Sequence, residues 1–401
     1  MCPERRCRAP VAGLEAGVSN GVARVTQPIP FIDLQAQRRR LGEPLAKAIQ
    51  AAVEGGQWIL GPQVRELEEK LAAFAGVKHA VACANGTDAL MIVLRAWNIG
   101  PGDAVFVPAF TFAASAEVVA LVGASPVFVD VLEDTYNMDP SSLDAAIATV
   151  KAAGKLTPRA VMPVDLFGQP ADYRAIEPIV AREKLLMLCD AAQGFGGRLG
   201  ARVAGGIGDA AATSFFPAKP LGCYGDGGAS FTNDDGLAEL LRSIRMHGQG
   251  EDRYENVRIG VNSRLDTIQA AILLEKLKVF PQEIEMREVL ARRYNAGLGI
   301  SNEIRVPQVI YGAQSTWAQY TIQVPNRAKL QADLKAKGIP TAVYYPIPLS
   351  RQKGYAEYPG APTPVSERIC KTVVALPMHP DLDAATQDRI IEAVLESVGS
   401  A

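Results

Sequence analysis

The chain lacks a basic excess: its 401 residues carry 41 Lys and Arg against 43 Asp and Glu, for a net charge of −2 and a pI near 6.1. Nucleic acids and anionic membranes demand such an excess, so neither is an expected partner, though a local basic pocket stays open. Cysteine is sparse and scattered (Cys2, Cys7, Cys83, Cys189, Cys223, Cys370), with no CxxC pair. Histidine is rarer still, and His79, His247 and His379 lie far apart. A disulfide frame and a zinc site are therefore excluded as organising features. Reduced thiols, a cytoplasmic protein and no bound metal are expected. No apolar run is long enough to span a bilayer, since Pro108, Glu117, Gly123 and Pro126 break the most apolar region, 106–129. Residues 1–27 lack the continuous apolar core of a secretory signal and read as a flexible tail. Internal repeats, low-complexity segments and a Walker A motif are also absent.

What is present is ordinary soluble-protein composition, 48% hydrophobic and 21% charged, in a chain long enough for two or three units. Short apolar strands alternate with amphipathic helices. In "VRELEEKLAAFAG", Val64, Leu67, Leu71 and Phe74 recur at spacings of three and four and stop at Gly76, which predicts a helix with a glycine C-cap. "DAVFVPAFTF", "SPVFVDV", "PRAVMPVDLFG", "KLLMLCDAAQ" and "DAAATSFF" read as buried strands ending in polar or glycine-bearing loops. Near-continuous apolar strands between helices predict an α/β fold with a parallel-rich sheet covered on both faces. A long helix follows "GVNSRLD", and Pro281 is expected to open a second helical run to about Leu298. The remainder mixes strands ("AQYTIQV", "PTAVYYPI") with helices, suggesting a large domain over 28–285 and a smaller α+β domain over 286–401.

Ligands of open α/β sheets bind outside the carboxyl ends of the strands, and four polar elements fall there. In "CANGTDAL" a strand ends at Asn85-Gly86 and a helix starts at Thr87-Asp88. This is an anion site suited to a phosphate or, as the commoner outcome taken alone, an N-cap by Thr87 or Asn85. Asp190 ends the apolar strand "KLLMLCD" and should either have a cationic partner, such as a protonated pyridine nitrogen, or neutralise. "DAAQ" also fits a capping box with Gln193 reaching back, and four letters do not decide between the two. Lys219 lies with Ser214 in "TSFFPAKPLGCYGDGGA", the one Lys or Arg between Arg202 and Arg242. A desolvated lysine amine can condense with a carbonyl, and the surrounding prolines and glycines would let a flat ligand approach. "FTF", Phe110 to Phe112, offers an aromatic that could stack on a heterocycle or pack in the core. Pyridoxal 5'-phosphate uses all four at once: a phosphate, a ring nitrogen, a flat face and an aldehyde. "GIGDAA", from Gly206, has dinucleotide-fingerprint spacing but precedes a strand and is set aside.

From "PFIDLQAQ" to "LPMHP" the chain resembles pyridoxal-phosphate enzymes of fold type I, in the DegT-type sugar aminotransferase family. "QWILGPQVRELEEKLAAFAG", "GVNSRLDTIQAAIL" and "YPIPL" resemble most closely the members that aminate UDP-2-acetamido-2-deoxy-3-oxo-glucuronate for bacterial surface polysaccharide such as O-antigen. The resemblance implies a mostly parallel seven-stranded sheet flanked by helices, plus a smaller α+β domain. It implies pyridoxal 5'-phosphate held covalently by Lys219, with Asp190 at the pyridine nitrogen and Phe112 on the ring. Gly86, Thr87, Asp88 and Ser214 would hold the phosphate end, Gln193 would lie near the cofactor hydroxyl, and Asn262 would reach the phosphate of a neighbouring subunit in a homodimer. Arg264 would clamp the carboxylates of L-glutamate and the UDP-linked oxo sugar, with His247, Tyr344 and Tyr345 lining the sugar pocket. One departure is Tyr344, where the resembled enzymes carry histidine, because a phenol does not titrate near neutrality.

Three other readings carry weight. An aminotransferase acting on a 4-oxo-6-deoxy nucleotide sugar differs only in loops. A cofactor-dependent sugar dehydratase is disfavoured by Lys219, because the resembled dehydratases carry histidine there. A non-catalytic sugar-sensing regulator is disfavoured by the complete set of cofactor residues.

Overall fold

The computed structural model describes residues 29–252 and 254–399, so the expected tail over 1–27 lies outside the described residues. The apolar segments form one seven-stranded sheet. Its strands are β1 (His79–Cys83), β2 (Asp103–Pro108), β3 (Ser125–Val129), β4 (Thr157–Val161), β5 (Leu186–Asp190), β6 (Ala210–Ser214) and β7 (Gly228–Thr232). Their order across the sheet is β1-β7-β6-β5-β4-β2-β3. Only β7 runs antiparallel to its neighbours; the remaining pairs are parallel. Because β7 reverses between β1 and β6, the carboxyl ends of β1, β2, β5 and β6 share one edge. That edge is where the four polar elements of the sequence converge.

Helices cover both faces: α1 (Leu34–Glu54), α2 (Pro62–Ala75), α3 (Gly86–Ala96), α4 (Ala114–Leu121), α5 (Pro140–Ala153), α6 (Tyr173–Glu183), α7 (Asp235–Ile244) and α8 (Thr267–Leu298). Side chains alternate across β2, so Phe106 joins the core with Leu67, Leu71 and Phe280, while Val105 and Val107 join that with Leu90 and Leu241. Helix α2 ends as its pattern predicts, on Gly76 in the left-handed conformation at φ 74°. Phe74 faces Phe280 at 5.6 Å and Phe195 at 5.5 Å between ring centroids. A further core gathers Leu290, Tyr294 and Leu298 of α8 with the antiparallel pair β8 (Tyr320–Gln323) and β9 (Val373–Leu376). Helices α9 (Arg327–Ala336), α10 (Pro364–Thr372) and α11 (Ala384–Gly399) complete the carboxyl-terminal part.

Two local expectations fail. Pro281 does not divide the helix; α8 runs unbroken for 32 residues and passes through the division expected at 285/286. A mid-helix proline costs about 3 kcal/mol. Buried side chains on both sides of it, among them Leu273, Phe280, Ile284 and Leu290, offset that cost. "PTAVYYPI" is not a strand, and only Ala342 bridges, to Ala375. Pro340, Pro346 and Pro348 remove the N–H donors that a ladder needs.

Phe280 is fully buried and lies within 6.1 Å of the parallel ring of Phe195. Phe280→Ala should destabilise the protein by about 3–5 kcal/mol, read as a lower denaturation midpoint in urea.

Candidate active site

Asp190 is the carboxyl-terminal residue of β5, an apolar strand in register with β6 through the pair Asp190–Ala212. It is 5% exposed. Its Oδ1 accepts from the Ala192 N–H at 3.1 Å, and its Oδ2 accepts from the Ser115 hydroxyl, on α4, at 2.8 Å. Ser115 is buried, with Thr111 Oγ1 at 3.2 Å. Burial pushes the Asp190 pKa up, and the Ala192 N–H, the Ser115 hydroxyl and the positive charge of Lys219 work against that rise. The capping-box alternative fails, because no helix follows Asp190 and residues 192–196 form turns. Gln193 instead spans the site: its Oε1 accepts from the Phe167 N–H at 2.7 Å, and its Nε2 donates to the Tyr345 hydroxyl at 3.1 Å.

Lys219 sits on the loop that leaves β6. The loop closes on itself, since Lys219 N–H donates to Phe216 O and Cys223 N–H donates to Phe215 O, both at 2.8 Å. A Cβ at Gly222 would come within 2.5 Å of Pro217 O, so only glycine fits that closure. Burial lowers the pKa of the Lys219 amine, and the attraction of Asp190 opposes the drop. Each group therefore feels the other's charge.

At the end of β1, Asn85 caps α3, its side-chain oxygen accepting from Asp88 N–H at 2.8 Å. This is one of the two caps the sequence offered; Thr87 is not the cap. The N–H groups of Gly86 and Thr87 head the helix with no acceptor among the described residues. Ser214 packs over Gly86 so closely that a Cβ there would lie 2.6 Å from the Ser214 Cβ. A helix N-terminus beside a hydroxyl is a cradle for a phosphate. The two aromatics of "FTF" part company: Phe110 is buried in the core, whereas Phe112 is 56% exposed, its ring 6.3 Å from Tyr345. Tyr345 also meets Phe110 edge-on at 6.0 Å and Tyr344 at 5.9 Å.

His247, Asn262 and Arg264 form a second group. Met246 and Asn262 are bridged, His247 N–H donates to Val261 O at 2.9 Å, and the buried Ser263 accepts from Ala84 N–H at 3.1 Å. His247 and Asn262 are exposed and Arg264 is partly covered. They adjoin the β1 end of the site without a hydrogen bond to Asp190, Gln193 or Lys219 among the described residues.

Several residues here escaped sequence reasoning. Ser115 orients Asp190 from a helix that only the fold brings near. Asp165, fully buried, accepts on Oδ1 from the Tyr173 hydroxyl at 2.6 Å and from Ala171 N–H at 3.0 Å, while its Oδ2 has no partner. Its backbone N–H donates to Asp190 O at 2.9 Å, and a Cβ at Gly194 would strike its own Cβ at 2.2 Å. Asp165 thus lies directly under the turn that carries Asp190 and Gln193. The strand-end "VDLFG" was the available signal, an aspartate with no visible partner.

Burial pushes the Asp165 carboxyl up to about 7, against the Tyr173 and Ala171 hydrogen bonds and with help from the Asp190 charge. The folded protein then holds a proton that the unfolded chain releases near pH 4, so stability falls as pH rises from about 4 to 7. Asp165→Asn should flatten that slope: relative to wild type, its melting temperature should improve between pH 5 and pH 8. Removing the opposing charge by Asp190→Asn should lower the Lys219 pKa further, measured as the pH dependence of amine labelling at Lys219 in the cofactor-free chain.

The comparisons with known proteins identify the family. Residues 40–395 match the DegT/DnrJ/EryC1/StrS aminotransferase family. The chain is 49% identical over 360 residues to UDP-2-acetamido-2-deoxy-3-oxo-D-glucuronate aminotransferase of Pseudomonas aeruginosa, covering 89% of this chain and 97% of that one. It is 40% identical to UDP-N-acetyl-3-dehydro-alpha-D-glucosamine 3-aminotransferase of Acidithiobacillus ferrooxidans, covering 88% of this chain and 94% of that one. Among solved structures, a DegT DnrJ EryC1 StrS aminotransferase from Brucella abortus superposes with a TM-score of 0.91 at 54% identity, covering 92% of this chain and all of that one. The family match spans most of the chain, and the chain belongs to the DegT/DnrJ/EryC1/StrS aminotransferase family.

Proposed function

We propose that the protein moves the amino group of L-glutamate to carbon 3 of UDP-2-acetamido-2-deoxy-3-oxo-glucuronate, using pyridoxal 5'-phosphate and working as a cytoplasmic homodimer. The product would be a 3-amino nucleotide sugar for bacterial surface polysaccharide. The single observation carrying the reading is the placement of strand-end Asp190, the closed Lys219 loop after β6 and the Gly86–Ser214 cradle at one sheet edge. The 49% identity to the Pseudomonas aeruginosa enzyme supports the choice of acceptor.

The residues fit the cofactor. The α3 N-terminus with Thr87, Asp88 and Ser214 suits its phosphate, Asp190 a protonated ring nitrogen, the exposed Phe112 a flat face, and Lys219 an aldehyde. When bound, pyridoxal phosphate supplies that aldehyde and a ring that withdraws electrons from the reacting carbon. Asp190, aimed by Ser115 and the Ala192 N–H, would hold the proton on the ring nitrogen. Desolvation keeps the Lys219 amine ready to take a proton from the donor carbon and return it one atom away. Gln193, fixed by Phe167 N–H, presents its amide beside Tyr345. Arg264 has a planar fork suited to a carboxylate, which glutamate and the uronic acid both carry. Asn262 and His247, exposed on their bridged segments, would face a partner subunit or the sugar. Burial raises the Tyr344 pKa, so this phenol stays protonated in the working range and serves as a hydrogen-bond donor rather than a base.

The test is a glutamate-dependent assay against 3-oxo and 4-oxo nucleotide sugars, with Lys219→Ala alongside. Amination of the 3-oxo uronate is expected, with the variant slower by about 10²–10⁴-fold. Amination of a 4-oxo-6-deoxy sugar alone would replace the acceptor, and wild-type turnover by the variant would remove Lys219 from the chemistry.

A further inference from the structure

Beneath the Lys219 loop lies a buried lysine that the proposed chemistry does not use. Lys276, on α8, is 2% exposed. Its Nζ donates to the Gly222 carbonyl at 2.6 Å and sits 4.4 Å from the centre of the Tyr224 ring. Gly222 is the point at which the loop closes, directly before the Cys223 N–H that bonds back to Phe215. Seven residues earlier on the same helix face, Gln269 brackets the Tyr224 peptide. Its Oε1 accepts from Tyr224 N–H at 2.8 Å, and its Nε2 donates to Tyr224 O at 3.4 Å. Three hydrogen bonds and a cation–π contact therefore tie residues 222–224 to one rigid helix.

The location makes this more than a packing contact. A buried ammonium forfeits much of its hydration, and an apolar side chain of the same length would fill the space without that cost. What the ammonium adds is a short, charge-assisted hydrogen bond to a chosen carbonyl. Its ionisable surroundings are Glu283 and Arg287 on α8, with the Cys223 thiol on the loop itself, which burial pushes up to about 11. Glu283 is in turn held by Gln37 and Arg40 of α1. The same helix begins at Thr267, just after the segment carrying Asn262 and Arg264. One rod thus supports both the lysine loop and that segment.

We infer that Lys276, with Gln269, is a positioning residue for Lys219: it holds the closing end of the 216–223 loop against α8 so that the Lys219 amine stays aligned with Asp190. The inference rests on the reading of Lys219 as the cofactor-bonding lysine. A loose loop would leave substrate binding intact and misalign the group that moves the proton, and small misplacements of reacting groups are costly.

The experiment uses the holoenzyme of the wild type, Lys276→Met and Gln269→Met. Borohydride reduction followed by peptide mass spectrometry should find the cofactor on Lys219 in all three. Label on Lys276 or elsewhere would overturn the underlying reading rather than the positioning role. With label on Lys219, Lys276→Met should lose about tenfold in kcat while KM for glutamate stays within about twofold. The pH midpoint of the bound cofactor's visible absorbance should also move. Gln269→Met should shift the same two quantities less, and it decides the matter if Lys276→Met does not fold. Folded variants whose melting temperature falls while kcat and the absorbance midpoint stay at wild-type values would reduce Lys276 to a structural residue and end the proposal.

Discussion

The structure depends on keeping two opposite charges partly stripped of water at the end of a sheet. Asp190 and Lys219 are each pushed toward neutrality by burial, and each is pulled back toward its charged form by the other. At Asp190, which is buried, an unpaired charge would be expensive. Two hydrogen bonds on Asp190 hold its carboxylate, and the loop that carries Lys219 admits no Cβ at Gly222.

The scaffold serves that pair. The parallel strands converge their carboxyl ends, and the single reversed strand, β7, lets β1 join the same edge. This brings the cap of α3 next to Ser214, a contact possible only because residue 86 is glycine. Under the sheet edge, buried ionisable groups are distributed in layers. Asp165 sits beneath the Asp190 turn, Lys276 beneath the Lys219 loop, and Glu283 between Gln37 and Arg40 beyond them. Buried polar groups of this kind cost stability where partners are incomplete, as at Asp165 Oδ2.

Much of this was legible one residue at a time. Near-continuous apolar strands identified a sheet covered on both faces, and Val64, Leu67 and Leu71 marked a helix that the structure buries at those positions. Lys219 stood out because no other cation shares its forty-residue neighbourhood. The errors were local. Pro281 reads as a breaker by its own chemistry, but the packing of residues on both sides of it holds α8 together. "PTAVYYPI" reads as a strand by composition, yet its prolines and the lack of a second partner leave a single bridge. "DAAQ" left a cap and a ligand site equally open, and the turns at 192–196 removed the cap.

The sequence alone determined the fold class, the family and the identity of the groups at the strand ends. These are written in hydrophobic period and in motif letters that stand close together in the chain. Only the tertiary structure decided which distant groups those letters meet: Ser115 on Asp190 across 75 residues, Lys276 on Gly222 across 54, Tyr345 on Gln193 across 152. A pattern of neighbours along the chain carries no distance to a residue on another helix. Desolvation, which sets the protonation of Lys219, Asp190 and Asp165, exists only once the chain has closed over them.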